Sequence, residues 1–277
     1  MNFSESLMKR VQFSKNDIKL GIKVPKSLTE DLAYETGVHI GDGHLGIWKR
    51  KDGWAYLNAF SGDYKEEMDF YRDVMCPMIL RIYNKNVSVR KSTKNTVQVV
   101  FKSKAISTFK HNVLGLPSGN KKGRIAIPDV IMDSEFSKYC LQGIFDTDFS
   151  LTFRHGTYPK ISGGLPIAND KLKSQIMKIL EGLGIRAICS ITSCTDPRYS
   201  PPKKYKEYRI DMNGRENLEK WMASVGFRSN KHMTKLQIWK KYGYCKQLSK
   251  ISERKESLSG SAVEYRLGTD SSQRETT

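Results

Sequence analysis

Three things are scarce in this chain of 277 residues. No stretch approaches the unbroken apolar length that crosses a bilayer, and the N-terminus has no apolar run of the secretory kind. The sequence therefore predicts a soluble protein of the cytoplasm with no membrane partner. Cysteine is the second shortage: Cys76, Cys140, Cys189, Cys194 and Cys245 are odd in number, widely scattered, and form no Cys-x-x-Cys pair. That excludes a disulfide framework and a zinc ribbon, and leaves the thiols as small apolar packing groups. Acidic residues are the third, with Asp+Glu 29 against Lys+Arg 47, a net charge of +18 and a pI near 9.6. Such an excess costs self-repulsion and calls for a polyanionic partner, nucleic acid first. A merely lysine-rich solvated surface is the competing reading, but the charge is spread through folded sequence and not gathered in a tail.

What is present is a hydrophobic fraction of 38% with 10% aromatics, enough for a packed core in one large domain or two ordinary ones. One short motif occurs twice. Tyr34-Glu35-Thr36-Gly37-Val38-His39-Ile40-Gly41-Asp42-Gly43 is echoed by Cys140-Leu141-Gln142-Gly143-Ile144-Phe145-Asp146-Thr147-Asp148-Phe149. Laying Gly37 over Gly143 lays Asp42 over Asp148. A duplicated carboxylate suggests two pseudo-symmetric halves that each give one acid to a shared site. The run Gly41-Asp42-Gly43-His44-Leu45-Gly46 also fits G-x-G-x-x-G, but a dinucleotide fingerprint needs a strand before it and a helix after it. Here the order is reversed, and Asp42 would face a pyrophosphate.

The order of elements repeats as well. Ser27-Leu28-Thr29-Glu30 fits a capping box opening a helix that runs to Ile40, with Ala33 and Gly37 on one face. Strand patterns follow over 44–49 and 54–60, joined at Lys51-Asp52-Gly53. Tyr64, Met68, Tyr71 and Met75 mark a helix that Pro77 is expected to end. Strands over 87–91 and 96–102 and a helix through Ile106, Phe109 and Val113 complete the unit. After a Gly/Lys-rich connector the same series returns: a helix through Cys140 and Gly143, two strands, a helix through Leu172 to Leu183, two strands, and a helix through Leu218 to Val225. A last helix spans about 231–242. The predicted organisation is an N-terminal extension (1–25), a first repeat (26–118), a linker (119–126), a second repeat with a C-terminal helix (127–252) and a disordered tail (253–277).

The two motif copies resemble the LAGLIDADG homing endonucleases, specifically the single-chain, two-repeat, free-standing archaeal type. Thr36 to Gly43 lies over the last eight positions of that name and Leu141 to Phe149 over all nine. The segment from Asn230 to Tyr244 looks like the end of archaeal members. The resemblance implies an α+β fold of two αββαββα repeats, a saddle of antiparallel sheets with both motif helices packed at its centre. It implies that Asp42 and Asp148 share divalent metal, Mg²⁺ with Mn²⁺ as a substitute, helped by the carbonyls of Gly41 and Thr147. Paired carboxylates around a hard cation suit phosphodiester hydrolysis, because the cation activates water and neutralises the leaving oxygen. Small residues, Ala33, Gly37 and Gly143, let two helices cross closely enough to bring the acids together. Phe149 departs from the usual final glycine, and Asp146 is expected to be structural. A lysine near Lys102 has a catalytic place in the family; the alternative is a surface lysine on a phosphate.

Basic residues on strands and loops are the candidate DNA contacts: Lys49, Arg50, Arg90, Lys91 and Lys94 in the first half, Arg154, Lys160, Arg186, Arg198, Lys203, Lys204 and Arg209 in the second. Arg and Lys read guanine in the major groove or neutralise phosphates. The expected function is a site-specific, metal-dependent double-strand DNA endonuclease acting as a monomer, each half cutting one strand. A residue 1 that is not cysteine favours an intron-encoded protein over an intein. The alternative is an intron RNA maturase or a non-cleaving DNA-binding protein.

Overall fold

The computed structural model describes residues 2–92, 95–196 and 200–260. Two short helices open the chain, α1 (Glu5–Met8) and α2 (Lys15–Lys19). The N-terminal extension is tied to the first repeat: Phe3 and Ile22 are buried, and Phe3 meets Phe109 edge-on at 5.6 Å. Asp17, buried in α2, accepts from the Ser103 hydroxyl at 2.7 Å and the Ala105 amide at 3.1 Å, neutralising the start of a later helix.

The first unit then runs α3 (Glu30–Asp42), β1 (Gly43–Arg50), β2 (Gly53–Asp63), α4 (Tyr64–Asp69), a π turn (Phe70–Met75), α5 (Cys76–Tyr83), β3 (Val89–Lys91), β4 (Thr96–Phe101) and α6 (Lys104–Asn112). A one-turn helix, α7 (Asp129–Met132), precedes the second unit: α8 (Ser137–Asp148), β5 (Phe149–Arg154), β6 (Tyr158–Pro166), α9 (Asp170–Gly182), β7 (Ile188–Asp196), β8 (Lys203–Asn213) and α10 (Arg215–Ser224). Helices α11 (Asn230–Tyr242) and α12 (Ile251–Ser259) follow. The sheets have the same order, β1-β2-β4-β3 and β5-β6-β8-β7, antiparallel throughout. The fold is α+β, built from two αββαββα units. Among the described residues no helix is long and apolar enough to cross a membrane.

Each sheet has one covered face and one open face. Leu45, Phe60, Val97, Val99 and Phe101 point toward the helices from the first sheet, as do Leu151, Phe153, Ile161, Ile210 and Met212 from the second. The period of two that governs strands then assigns every neighbour.

Four expectations are corrected. The cap of α3 is Thr29, whose hydroxyl accepts from the Leu32 amide at 3.2 Å; Ser27 lies in a bridge with Asn2, and Glu30 accepts instead from the Tyr139 hydroxyl. Pro77 does not stop its helix. The π turn just before it shifts bonding to wider spacing, with Cys76 N–H reaching Tyr71 O, and the chain stays helical to Tyr83. The tail does not begin at 253, because α12 runs to Ser259 around a fully buried Arg254. That guanidinium donates to Glu66 at 2.8 Å and Thr234 at 2.9 Å, stitching the C-terminal segment to α4 of the first unit and to α11. Residues 261–277 lie outside the described residues. The fourth correction concerns Lys102 and is taken up below.

Candidate active site

Helices α3 and α8 make the most extensive helix–helix contact in the molecule. Glycine inside a helix costs about 1 kcal/mol relative to alanine, so Gly37 and Gly143 need a reason, and the crossing supplies it. A Cβ on Gly143 would fall 2.6 Å from the Val38 amide nitrogen; one on Gly37 would fall 2.9 Å from the Cys140 carbonyl carbon. Ala33, one turn earlier, is wholly buried. The helices are also bonded across the seam. Tyr34 donates its hydroxyl to Asp146 Oδ2 at 2.6 Å, and the Arg228 amide donates to the same oxygen at 2.9 Å. Asp146 is therefore spent on joining the halves.

Close approach continues to the feet of the helices. A Cβ on Gly41 would stand 2.9 Å from Thr147 Cβ and 3.3 Å from the carboxyl carbon of Asp148. The acid of one half thus lies against the backbone beside the acid of the other. Asp42 accepts from the Tyr71 hydroxyl at 2.9 Å. Burial pushes its carboxyl up to about 7, with the nearby Glu67 and Asp148 carboxylates adding to the rise and the Tyr71 bond opposing it. Asp148 is open to solvent on one side yet crowded by protein on the others, and desolvation raises its carboxyl against the pull of Lys121 and Lys231.

Two ammonium groups complete the site. Lys121 donates to the carbonyls of Ile40 (2.7 Å), Gly41 and Gly43 (3.1 Å). Lys231 donates to the Thr147 carbonyl at 3.1 Å and pairs with Glu67 at 2.5 Å. Glu67 is held in turn by the Asp63 amide at 2.7 Å. Each lysine therefore sits on the carbonyl that precedes one of the acids. Burial pulls the Lys121 ammonium below its usual range, and both acids oppose that pull.

Solved structures similar to this chain include the homing endonuclease I-DmoI in complex with DNA and Ca, at 14% identity and a TM-score of 0.49, covering 71% of this chain and 88% of that one. I-DmoI in complex with DNA and Mn scores 0.48 at 15% identity, covering 71% and 96%. A lysine-to-alanine mutant of I-SmaMI scores 0.47 at 13% identity, covering 78% and 90%. They are the kind of protein the two motif copies resemble. No family model and no curated protein matches the chain.

The donor set fits a divalent cation. Among the described residues no three His, Cys, Asp or Glu side chains gather as a metal group, so the oxygens on offer are two carboxylates and the carbonyls of Gly41 and Thr147. A ligand set that leaves most positions to water or phosphate oxygen suits Mg²⁺. Two carboxyls whose ionisation burial opposes, with ammonium groups already drawn to the adjoining carbonyls, mark a place that favours positive charge.

Lys102 is not among the groups bonded at the acids. It is exposed between β4 and α6, lining a groove of about 440 Å³ with Arg50, Trp54 and Lys104. The lysines at the acids are Lys121, from the linker, and Lys231, from α11. Neither was a candidate, because both lie outside the repeated unit; the cues were the lysine-rich connector for Lys121 and the Asn230–Tyr244 segment for Lys231.

The pleat splits the basic candidates. Cross-strand pairing puts Arg50, Arg90, Arg154, Lys160, Lys203 and Arg209 on the open faces. Their neighbours Lys49, Lys91 and Lys204 share the other face, where the Lys91 ammonium lies 4.4 Å from the Tyr64 ring centroid. Adjacent strand residues cannot both face one ligand. Arg186 lies exposed ahead of β7, its amide bonded to Asn217. Lys94 and Arg198 lie outside the described residues.

Proposed function

We propose that the chain is a metal-dependent, site-specific endonuclease of double-stranded DNA, acting as a monomer, with Asp42 and Asp148 as its central acids. The observation that carries this reading is the meeting of two acids, one from each repeat, at the foot of a helix seam, each with a lysine on the carbonyl before it. Mg²⁺ or Mn²⁺, held by Asp42, Asp148 and the carbonyls of Gly41 and Thr147, would supply Lewis acidity and an activated water.

The chain's own residues do the rest. Asp42 and Asp148 hold the reacting phosphate's surroundings at one point between two sheets, because glycines let α3 and α8 touch. Tyr71 fixes the Asp42 carboxylate by its hydrogen bond, and Glu67 fixes Lys231. Lys121 and Lys231 bring positive charge to the scissile phosphates, where negative charge accumulates during cleavage. Arg50, Arg90, Arg154, Lys160, Lys203 and Arg209 on the open faces supply phosphate and guanine contacts, and the net charge of +18 draws the polyanion.

The test is incubation with Mg²⁺ and DNA spanning the uninterrupted insertion locus of the gene, alongside Asp42→Asn and Asp148→Asn. Double-strand cuts lost in both variants, with binding kept, support the reading. Tight binding without cuts in Mg²⁺ and in Mn²⁺ refutes it in favour of a non-cleaving binder of DNA or intron RNA.

A further inference from the structure

The open faces of the two sheets have the same backbone but opposite chemistry. On the first, Trp48, Ala55, Leu57, Ala59 and Val100 share the surface turned away from the helices. Trp48 and Val100 are 39% and 36% exposed although both are large and apolar. The Trp48 ring lies over Gly46, with Leu57 beside it and the Arg50 guanidinium 5.4 Å from its centroid. Polar groups stand mostly at the ends: Arg50 by the hairpin tip, His44 at the start of β1, Arg90 on the outer strand β3, and Gln98 of β4 between Arg90 and Ser61.

The second sheet is charged through its middle. Lys160 pairs with Asp211 at 2.8 Å, Ser162 donates to Asp211 at 2.6 Å, and Arg209 approaches Glu207 at 4.0 Å. Arg154 adds a further cation. The large exposed side chains with apolar bodies on that face, Tyr158, Ile188 and Tyr205, lie at strand ends or on the outermost strand and leave the middle to the charged set.

A duplex major groove offers different handles by sequence. Thymine presents a methyl group that suits apolar contact, guanine presents acceptors for Arg and Lys, and cytosine presents an amino donor for Asp and Glu. Resting on the duplex reading proposed above, we infer that the two halves of the recognition site differ in kind. The arm under the first sheet is thymine-rich and read through its methyls by Trp48, Leu57 and the small side chains between them. The arm under the second sheet is richer in G·C pairs and read by the Lys160, Arg209, Glu207 and Asp211 set.

The test uses the full chain and a randomised duplex pool, enriched by binding without Mg²⁺ and sequenced. Arg209→Ala, which relaxes preference in the arm it touches, assigns each arm to its sheet. The enriched duplex is then remade with deoxyuridine for thymidine in one arm at a time, which removes only the methyls. The expected result is a loss of about three- to fourfold in affinity per contacted methyl in the first-sheet arm, and less than about twofold overall in the other. Leu57→Ser, half-buried on that face and compared with the parent at an equal folded fraction by circular dichroism, should shrink the deoxyuridine effect in that arm alone. Equal losses in the two arms, or a larger loss under the second sheet, overturn the inference while leaving duplex recognition intact. A pool that never enriches sinks duplex recognition, and the inference with it.

Discussion

The central seam gives the sharpest stability prediction. Gly143→Ala would add a methyl carbon 2.6 Å from the Val38 nitrogen and 3.0 Å from the Gly37 carbonyl carbon, and closer still to the Tyr34 carbonyl oxygen. All three are backbone atoms of α3, so no side chain can swing aside. Restoring ordinary contact, from 2.6 to 3.4 Å at Val38, means parting the helices by about 0.8 Å. Overpacking of this kind costs about 3 kcal/mol at its upper end, and alanine's better helix propensity returns about 1. The net destabilisation is about 2 kcal/mol, which lowers the melting midpoint by about 4–8 °C. Gly182→Ala is the control, because nothing lies within 4 Å of its added carbon, and it should gain about 0.4–1 kcal/mol. Urea unfolding of the two variants and the parent, side by side, measures both. A displacement of that size at the acids should also cost about a hundredfold in cleavage. The reasoning fails if Gly143→Ala is as stable as Gly182→Ala.

Beneath the first sheet, Lys110 and Glu35 form a fully buried ion pair, with Tyr83 donating to Glu35 at 3.2 Å. Lys110→Met should cost about 3–5 kcal/mol by stranding the carboxylate, and Lys110→Met with Glu35→Met should recover most of it; denaturant unfolding of single and double variants decides. Lys235 is held by burial at about 8, with Arg254 and Lys231 adding to the depression. The unfolded chain then binds more protons than the folded one between pH 8 and 10.5, so this group's share of stability is lacking below pH 8 and grows as pH rises through that window. Lys235→Met should flatten the rise in thermal midpoint between pH 8 and 10.5 relative to the parent, and an unchanged slope counts against it. Lys121→Met and Lys231→Met should each lower cleavage about a hundredfold or more while duplex binding persists, read from single-turnover rates beside equilibrium binding; full activity in either variant removes that lysine from the proposed chemistry.

Much of this architecture can be read from residues, and the reasons differ element by element. The α3 and α8 helices announce themselves because Gly37 and Gly143 are costly in helices and recur at the same distance from an acid. Strands are visible wherever one face is buried, as in Phe149-Ser150-Leu151-Thr152-Phe153, where burial alternates strictly. Pro77 misleads because a π turn, set by the tertiary fit of Phe70, Tyr71 and Met75 in the core, absorbs its missing N–H. The C-terminal helix α12 is obscured by its composition. Its charged residues look solvated until Glu66 and Asp69, far away in sequence, provide partners for Arg254 and Lys255. Pairs such as Lys49-Arg50 look like one basic patch in one dimension, and the pleat sends them to opposite faces.

The misplacement of the lysine has the most general cause. Duplication supplies in each copy a helix, a close-approach glycine, a carbonyl and an acid, so a search within the repeat finds all of these twice. The positive charges are not duplicated. Lys121 arrives from the connector between the copies and Lys231 from a helix after the second, and each reaches the corresponding carbonyl from outside its unit. Their surroundings differ in one respect: Asp42 accepts from the Tyr71 hydroxyl, whereas among the described hydrogen bonds Asp148 accepts from no tyrosine, while Glu67, Lys121 and Lys231 act on both acids. The halves are thus equivalent in backbone and unequal in the hydrogen bonding of their acids. On the proposed division of one strand to each half, an unequal hold on the two carboxylates predicts unequal rates, with a nicked duplex accumulating before the double-strand break. Tyr71→Phe tests the origin of that difference: it should change the rate of one cut and spare the other, and an equal change in both cuts refutes it.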